Sequence, residues 1–170
     1  AGALDAAADA DTQVYAPGAR VSEGISAAAD LDGDGHGDLV VGADGALVFA
    51  GPLARGVHTD ADATAVVPVD RAPCGKALDA SADLDRDGRG DLVLGCPSWG
   101  HTSAARLWYG PLSGTVGEPD ATFVDTGRVD QFGSVVTALG DVNGDGVDDL
   151  GLTDPETVAP DVYLFFGGRR

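Results

Sequence analysis

The sequence predicts an all-β chain of three repeated units, each a small antiparallel sheet of four short strands. Three observations carry that expectation: 26 glycines and 9 prolines among 170 residues, an acidic motif that occurs three times, and short apolar runs without helical spacing. Glycine or proline at roughly one position in five favours strands and tight turns over long helices. No window of roughly 11 or more residues holds a 3.6-residue apolar period. Hydrophobic residues make up 44% of the chain, enough for a packed interior, so the acidity does not read as disorder.

The acidic motif organises the chain. It runs Asp30-Leu-Asp-Gly-Asp34-Gly-His36-Gly-Asp38, then Asp83-Leu-Asp-Arg-Asp87-Gly-Arg89-Gly-Asp91, then Asp141-Val-Asn-Gly-Asp145-Gly-Val147-Asp-Asp149. The spacings, Asp30 to Asp83 and Asp83 to Asp141, are 53 and 58 residues. A unit of that length is too long for a coil of a β-helix and resembles one propeller blade. The predicted fold is therefore a β-propeller of four-stranded antiparallel blades, three per chain. The chain is one segment, residues 1–170, with blades at 19–69, 70–125 and 126–170.

Each unit repeats the same order of elements. A first strand of small residues precedes the acidic motif, at Ile25–Ala29, Lys76–Ala82 and Phe132–Leu139. An apolar second strand follows it, at Leu39–Val41, Leu92–Leu94 and Leu150–Leu152. The third strand is rich in aromatic and β-branched residues: Leu47–Phe49, Leu107–Tyr109 and Val162–Phe166. Fourth strands are expected at Thr64–Val69 and Ala121–Val124. The third strands end alike, in Gly51-Pro52-Leu53, Gly110-Pro111-Leu112 and, more loosely, Gly167-Gly168.

The motif has the spacing of a calcium loop, with side-chain oxygens at its first, third, fifth and ninth positions and a carbonyl at the seventh. Calcium takes six to eight hard oxygen ligands at about 2.3–2.6 Å. The expected side-chain ligands are Asp30, Asp32, Asp34 and Asp38; Asp83, Asp85, Asp87 and Asp91; and Asp141, Asn143, Asp145 and Asp149. His36, Arg89 and Val147 would ligate through backbone carbonyls, which explains three unrelated side chains at one position. Gly35, Gly88 and Gly146 allow the positive φ that closes such a loop. An EF-hand is ruled out, because Val41, Leu94 and Leu152 stand where it needs a bidentate Glu. The bland alternative is that Asp-Gly pairs merely make hairpin turns. Three copies favour one Ca²⁺ per loop, three per chain, acting as structural metal.

These motifs together resemble the FG-GAP repeat of the integrin α-subunit β-propeller and its bacterial relatives. The first element of that name stands as Phe132-Gly133, with Cys74-Gly75 and Glu23-Gly24 at the equivalent places. The second is similar to Gly42-Ala43-Asp44, Gly95-Cys96-Pro97 and Thr153-Asp154-Pro155. The likeness covers nearly the whole chain. It implies calcium on the lower face, a secreted or cell-surface location and a ligand-binding or adhesive role, and it does not imply an enzyme.

Three blades cannot close a ring with ordinary twist. The third unit lacks a fourth strand, whereas the N-terminal stretch at residues 11–16 aligns with the fourth strand that precedes the second unit. A head-to-tail homodimer could exchange these strands and close a six-bladed ring without free edges. Excision from a longer repeat protein is the rival account. It fits a chain that begins at Ala1, without Met or the basic and apolar regions of a signal peptide.

Other classes fare worse. With 10 Lys+Arg against 28 Asp+Glu and a formal charge of −18, nucleic-acid binding is disfavoured, since phosphate contacts need basic groups. No apolar run approaches the ~20 residues of a membrane-spanning helix. His36, His58 and His101 share no zinc spacing, and Ser98 has no nucleophile elbow. Arg89-Gly90-Asp91 spells a tripeptide known from integrin ligands, but Asp91 is a loop ligand and so is not free for a receptor. Cys74 and Cys96 flank the second loop and either form a disulfide or remain two buried thiols. Trp108 is expected in the core and Trp99 as a surface contact. The expected function is a non-catalytic calcium-binding module, structural, adhesive or protein-binding. The alternatives are a lectin-like carbohydrate binder or a fragment of a longer propeller.

Overall fold

A computed structural model describes residues 10–17, 21–69, 74–97, 103–125, 131–155 and 161–168, without the side chains of residues 22 and 23. Its strands begin with β1 (Thr12–Tyr15), β2 (Val21–Ala27), β3 (Leu39–Ala43), β4 (Gly45–Phe49) and β5 (Gly56–Thr59). After a single 3₁₀ turn at Asp60–Asp62 come β6 (Ala65–Pro68), β7 (Ala77–Ala82), β8 (Asp91–Cys96), β9 (Ala104–Trp108) and β10 (Gly114–Thr115). The last are β11 (Ala121–Val124), β12 (Val136–Gly140), β13 (Asp149–Asp154) and β14 (Asp161–Phe165). The described chain is all-β apart from that one turn.

The strands form three main sheets and a small pair. The first sheet has the order β10-β6-β4-β3-β2, the second β11-β9-β8-β7, the third β12-β13-β14, and β1 pairs with β5 alone. Within each main sheet neighbouring strands run antiparallel, except that β10 joins the first sheet in parallel beside β6. The first sheet therefore has five strands where four were expected, because a short edge strand of the second unit reaches back across the boundary. In the third unit, the strand expected at Phe132–Leu139 begins only at Val136. Gly133 adopts φ +82° and Ser134 donates to the Gln131 carbonyl at 3.0 Å, so the first residues make a turn instead. The N-terminal strand expected to complete the third unit lies, within this chain, against β5 in parallel register, Thr12 opposite Gly56 and Tyr15 opposite Thr59. There Ala16 and Val14 pack on the outer face of the first sheet, against Val41, Leu47 and Phe49.

Strand alternation sends one set of side chains to each sheet face. Between the first and second sheets, Val40, Val48 and Val67 meet Leu78, Leu92 and Leu94, with Trp108 buried among them. Between the second and third, Val93 and Leu107 meet Leu150, Leu152 and Phe132. The rings of Phe132 and Tyr163 meet edge to face at 5.4 Å, and those of Phe123 and Phe165 lie 4.6 Å apart. Backbone meets backbone at both boundaries. A Cβ on Gly75 would collide with the Gly45 carbonyl, and one on Gly95 with the Gly133 carbonyl. Gly75, Gly95 and Gly133 belong to the two short elements that the sequence repeats, so the repetition reflects close sheet stacking. A disulfide joins Cys74 to Cys96.

Candidate metal centre

Each acidic loop connects the first and second strands of its unit, and all three fold through one set of hydrogen bonds. The first-position carboxylate caps the loop from within. Asp30 accepts N–H groups from Gly33 and Asp34 on Oδ1, and from Gly35 on Oδ2 at 2.8 Å. Asp83 accepts from Asp87 and Gly88, and Asp141 from Gly144, Asp145 and Gly146. The third-position oxygens of Asp32, Asp85 and Asn143 each accept the N–H two residues on, at 3.0, 3.0 and 2.8 Å. The glycines Gly35, Gly88 and Gly146 take φ of +91°, +87° and +85°, a conformation that costs an L side chain about 1 kcal/mol or more.

The ninth position ties the loop to the sheet. Asp38 accepts the Leu31 N–H at 2.8 Å with one oxygen and the Gly51 N–H at 2.9 Å with the other. Asp91 does the same with Leu84 and Gly110, and Asp149 with Val142 and Gly167. All three aspartates are buried. Gly51, Gly110 and Gly167 follow the third strands, and a Cβ on each would press into the eighth-position carbonyl of its own loop. Sequence reasoning found these glycines as a strand-end signature but missed their N–H groups as partners of the ninth aspartate. The signal was their constant place after the third strand, since their distance from the ninth aspartate varies from 13 to 19 residues.

In the first two loops, carboxylate oxygens from positions one, three and nine converge. Those of Asp30, Asp32 and Asp38 lie within 4.8 Å of one another, as do those of Asp83, Asp85 and Asp91. An ion at about 2.4 Å from each oxygen fits between groups so spaced. The fifth-position carboxylates stand outside these sets: Asp34, Asp87 and Asp145 each accept the N–H two residues on, from His36, Arg89 and Val147. Asp87 also pairs with the Arg89 guanidinium at 3.2 Å. The third loop has Asn143 in place of a third-position carboxylate, and its amide donates to Asp145.

Crowding of like charges marks the electrostatics. Burial pushes the Asp91 carboxyl up to about 6; the N–H groups of Gly110 and Leu84 oppose this, and the charges of Asp83 and Asp87 add to it. Burial likewise raises Asp32, opposed by the Asp34 N–H and reinforced by Asp38, Asp34 and Asp30. For Asp30 burial also pulls upward, but three loop N–H groups and the Arg89 charge carry it below the ordinary range. A divalent cation supplies what such a group of carboxylates lacks.

The structure also places the remaining candidates. Asp91 of the Arg-Gly-Asp tripeptide is 1% exposed with both oxygens engaged, so it offers nothing to a receptor. Trp108 is buried and donates to the Gly117 carbonyl at 2.9 Å. His36 lies in the first loop, while His58 contacts the Ala54 carbonyl. Trp99, Ser98 and His101 lie outside the described residues. Among the described residues no helix is long and apolar enough to cross a membrane.

Residues 24–66 match the FG-GAP repeat family. The chain is 36% identical over 98 residues to integrin alpha-X of Mus musculus, covering 53% of this chain and 8% of that protein. It is 30% identical over 154 residues to phosphatidylinositol-glycan-specific phospholipase D of Rattus norvegicus, covering 77% of this chain and 18% of the relative. The Mus musculus phospholipase is also 30% identical, over 169 residues and 19% of its length. The chain thus spans less than a fifth of the length of each of these curated relatives. With that match falling across a first strand, its acidic loop and the strands that follow, the chain is an FG-GAP, integrin-like propeller-type relative.

Proposed function

We propose that this chain is a non-catalytic calcium-binding propeller module, whose three sheets are blades and whose acidic loops each hold one Ca²⁺ as a structural ion. The observation that carries the reading is the convergence of Asp30, Asp32 and Asp38, and of Asp83, Asp85 and Asp91, on one point per loop. The donor set fits the ion, since every converging group is a hard oxygen. Asp141, Asn143 and Asp149 would hold the third ion, with the carbonyls of His36, Arg89 and Val147 as further ligands. Asp34, Asp87 and Asp145 would ligate after turning from the N–H groups they now accept. Calcium supplies counter-charge here, not reactivity.

The role is structural and protein-binding, in a secreted or cell-surface setting that suits the Cys74–Cys96 disulfide. Two relatives are named as phospholipases, but the chain matches under a fifth of their length. Isothermal titration with CaCl₂ is the test, with three ions per chain expected. Asp38→Ala should remove one, and the unaltered chain's failure to bind calcium would overturn the reading.

A further inference from the structure

The two ends of the arc of sheets are incomplete in reciprocal ways. At the N-terminal end, β1 is held by β5 just as β6 is held by β10. Both contacts are parallel, and both start from a glycine of positive φ: Gly56 donates to the Asp11 carbonyl at 3.1 Å and Gly114 to the Thr64 carbonyl at 2.8 Å. That correspondence equates Thr12 with Ala65 and Val14 with Val67. On its other edge β6 pairs antiparallel with β4. Among the described residues β1 has no second strand. β1 therefore stands as the fourth strand of a sheet whose first three strands are not among the described residues. Beside it an open apolar groove of about 500 Å³ runs between Val14, Val21, Ile25, Leu39, Val41 and Leu53.

At the C-terminal end the third sheet has three strands among the described residues, and there β14 lacks the fourth strand that β4 and β9 have. Its outer face is built like the boundaries already inside the chain. By strand register Val162 corresponds to Ala105 and Leu164 to Leu107. The latter pair are 0% and 3% exposed, while Val162 and Leu164 are 68% and 52% exposed. At the other end Ile25 corresponds to Leu78 by register, and it is 68% exposed against 9%. One end thus offers three strands lacking a fourth; the other offers a fourth strand lacking three.

We propose that a second copy of this chain fills each gap, with β14 of one copy pairing antiparallel with β1 of the other. The register follows from β4 and β6, where Val48 faces Ala65 and Ala46 faces Val67. It sets Leu164 opposite Thr12, Tyr163 opposite Gln13 and Val162 opposite Val14 of the second copy. The contact is heterologous and made twice, so it closes on a two-fold axis into six sheets, with β14 and β1 of both copies paired. A ring of six lies within the four to eight sheets that propellers use. The inference rests on the propeller reading above.

Light scattering on the 170-residue chain in about 0.15 M salt, where the Debye length is about 8 Å, should give twice the chain mass. Leu164→Asp should raise the dissociation constant at least about thirtyfold with an unchanged circular dichroism spectrum. Val14→Cys with Val162→Cys should cross-link two chains, whereas Val14→Cys with Tyr163→Cys, one residue out of register, should not. A monomer at about 100 μM, or a Val14→Cys/Val162→Cys bridge within one chain, would overturn the pairing. A monomer that still binds three calcium ions would overturn this inference alone and leave the calcium-loaded module standing.

Discussion

Two aspartates of β13, five residues apart, show how far burial alone underdetermines a residue's worth. Asp149 and Asp154 are both 0% exposed. Asp149 accepts N–H groups from Val142, Asn143 and Gly167, and so joins the third acidic loop to the end of β14. Neither oxygen of Asp154 meets a hydrogen-bond partner among the described residues, and Thr153 Oγ1 beside it is in the same state. Register sets Asp154 in the place of Cys96, which in the second unit spends itself on the disulfide. The two substitutions to alanine should have opposite signs. Asp149→Ala strands buried donors and should cost about 3 kcal/mol or more. Asp154→Ala removes a buried carboxylate without compensation and should stabilise by about 1–2 kcal/mol. Urea unfolding of both variants under one set of conditions checks the pair, and a destabilised Asp154→Ala would mean that this carboxylate has a partner.

At the scale of elements, legibility followed locality. β11 was read at the bounds it has, Ala121–Val124, since alternation and flanking turns mark it within a few residues. The acidic loops were legible because their hydrogen bonds mostly span two to five residues, and the spacing of Asp and Gly encodes them directly. By contrast, β5 and β10 were invisible. Each is short and exposed or half-buried, and pairs in parallel with a strand far away in sequence, so nothing in its own residues announces a ladder. The turn at Phe132 hid for a related reason: its aromatic ring packs on Tyr163, a contact that mimics strand burial. The ninth aspartate was read as a ligand, but its second role needed the fold to bring Gly51 or Gly110 within reach. The disulfide is an element of the second unit only, closing a loop with a sequence separation of 22 residues. Replacing Cys74 and Cys96 together with alanine should lower stability by about 3 kcal/mol on the chain-entropy account. The first unit has Ala43 at the position of Cys96 and holds its sheet without a bridge, so the variant should still fold. Loss of the β-sheet circular dichroism spectrum at 25 °C would show that the second unit depends on the bridge outright.

For the whole molecule the governing quantity is a formal charge of −18, concentrated in part on three loops. Where Asp30, Asp32 and Asp38 approach within 4.8 Å, and Asp83, Asp85 and Asp91 likewise, repulsion acts over distances shorter than any Debye length in dilute buffer. Salt can screen the loops from one another and from the rest of the acidic surface, but only weakly within each loop. Calcium bound as proposed would act inside the loop, where salt does not reach. An ion at 100 times its dissociation constant adds about 2.7 kcal/mol, so three would add roughly 8, comparable to the stability of an ordinary domain. Two regimes follow. With chelator, the unfolding temperature should be low and should rise as NaCl goes from about 0.05 to about 0.5 M, because the Debye length falls from about 14 to about 4 Å. With calcium in excess it should be much higher and respond less to salt, since the nearest charges are already compensated. Thermal unfolding at both salt levels, with calcium and with chelator, separates ion-specific cohesion from general screening. If salt alone recovers the whole effect of calcium, the loops hold no ion, and their carboxylates serve the backbone only.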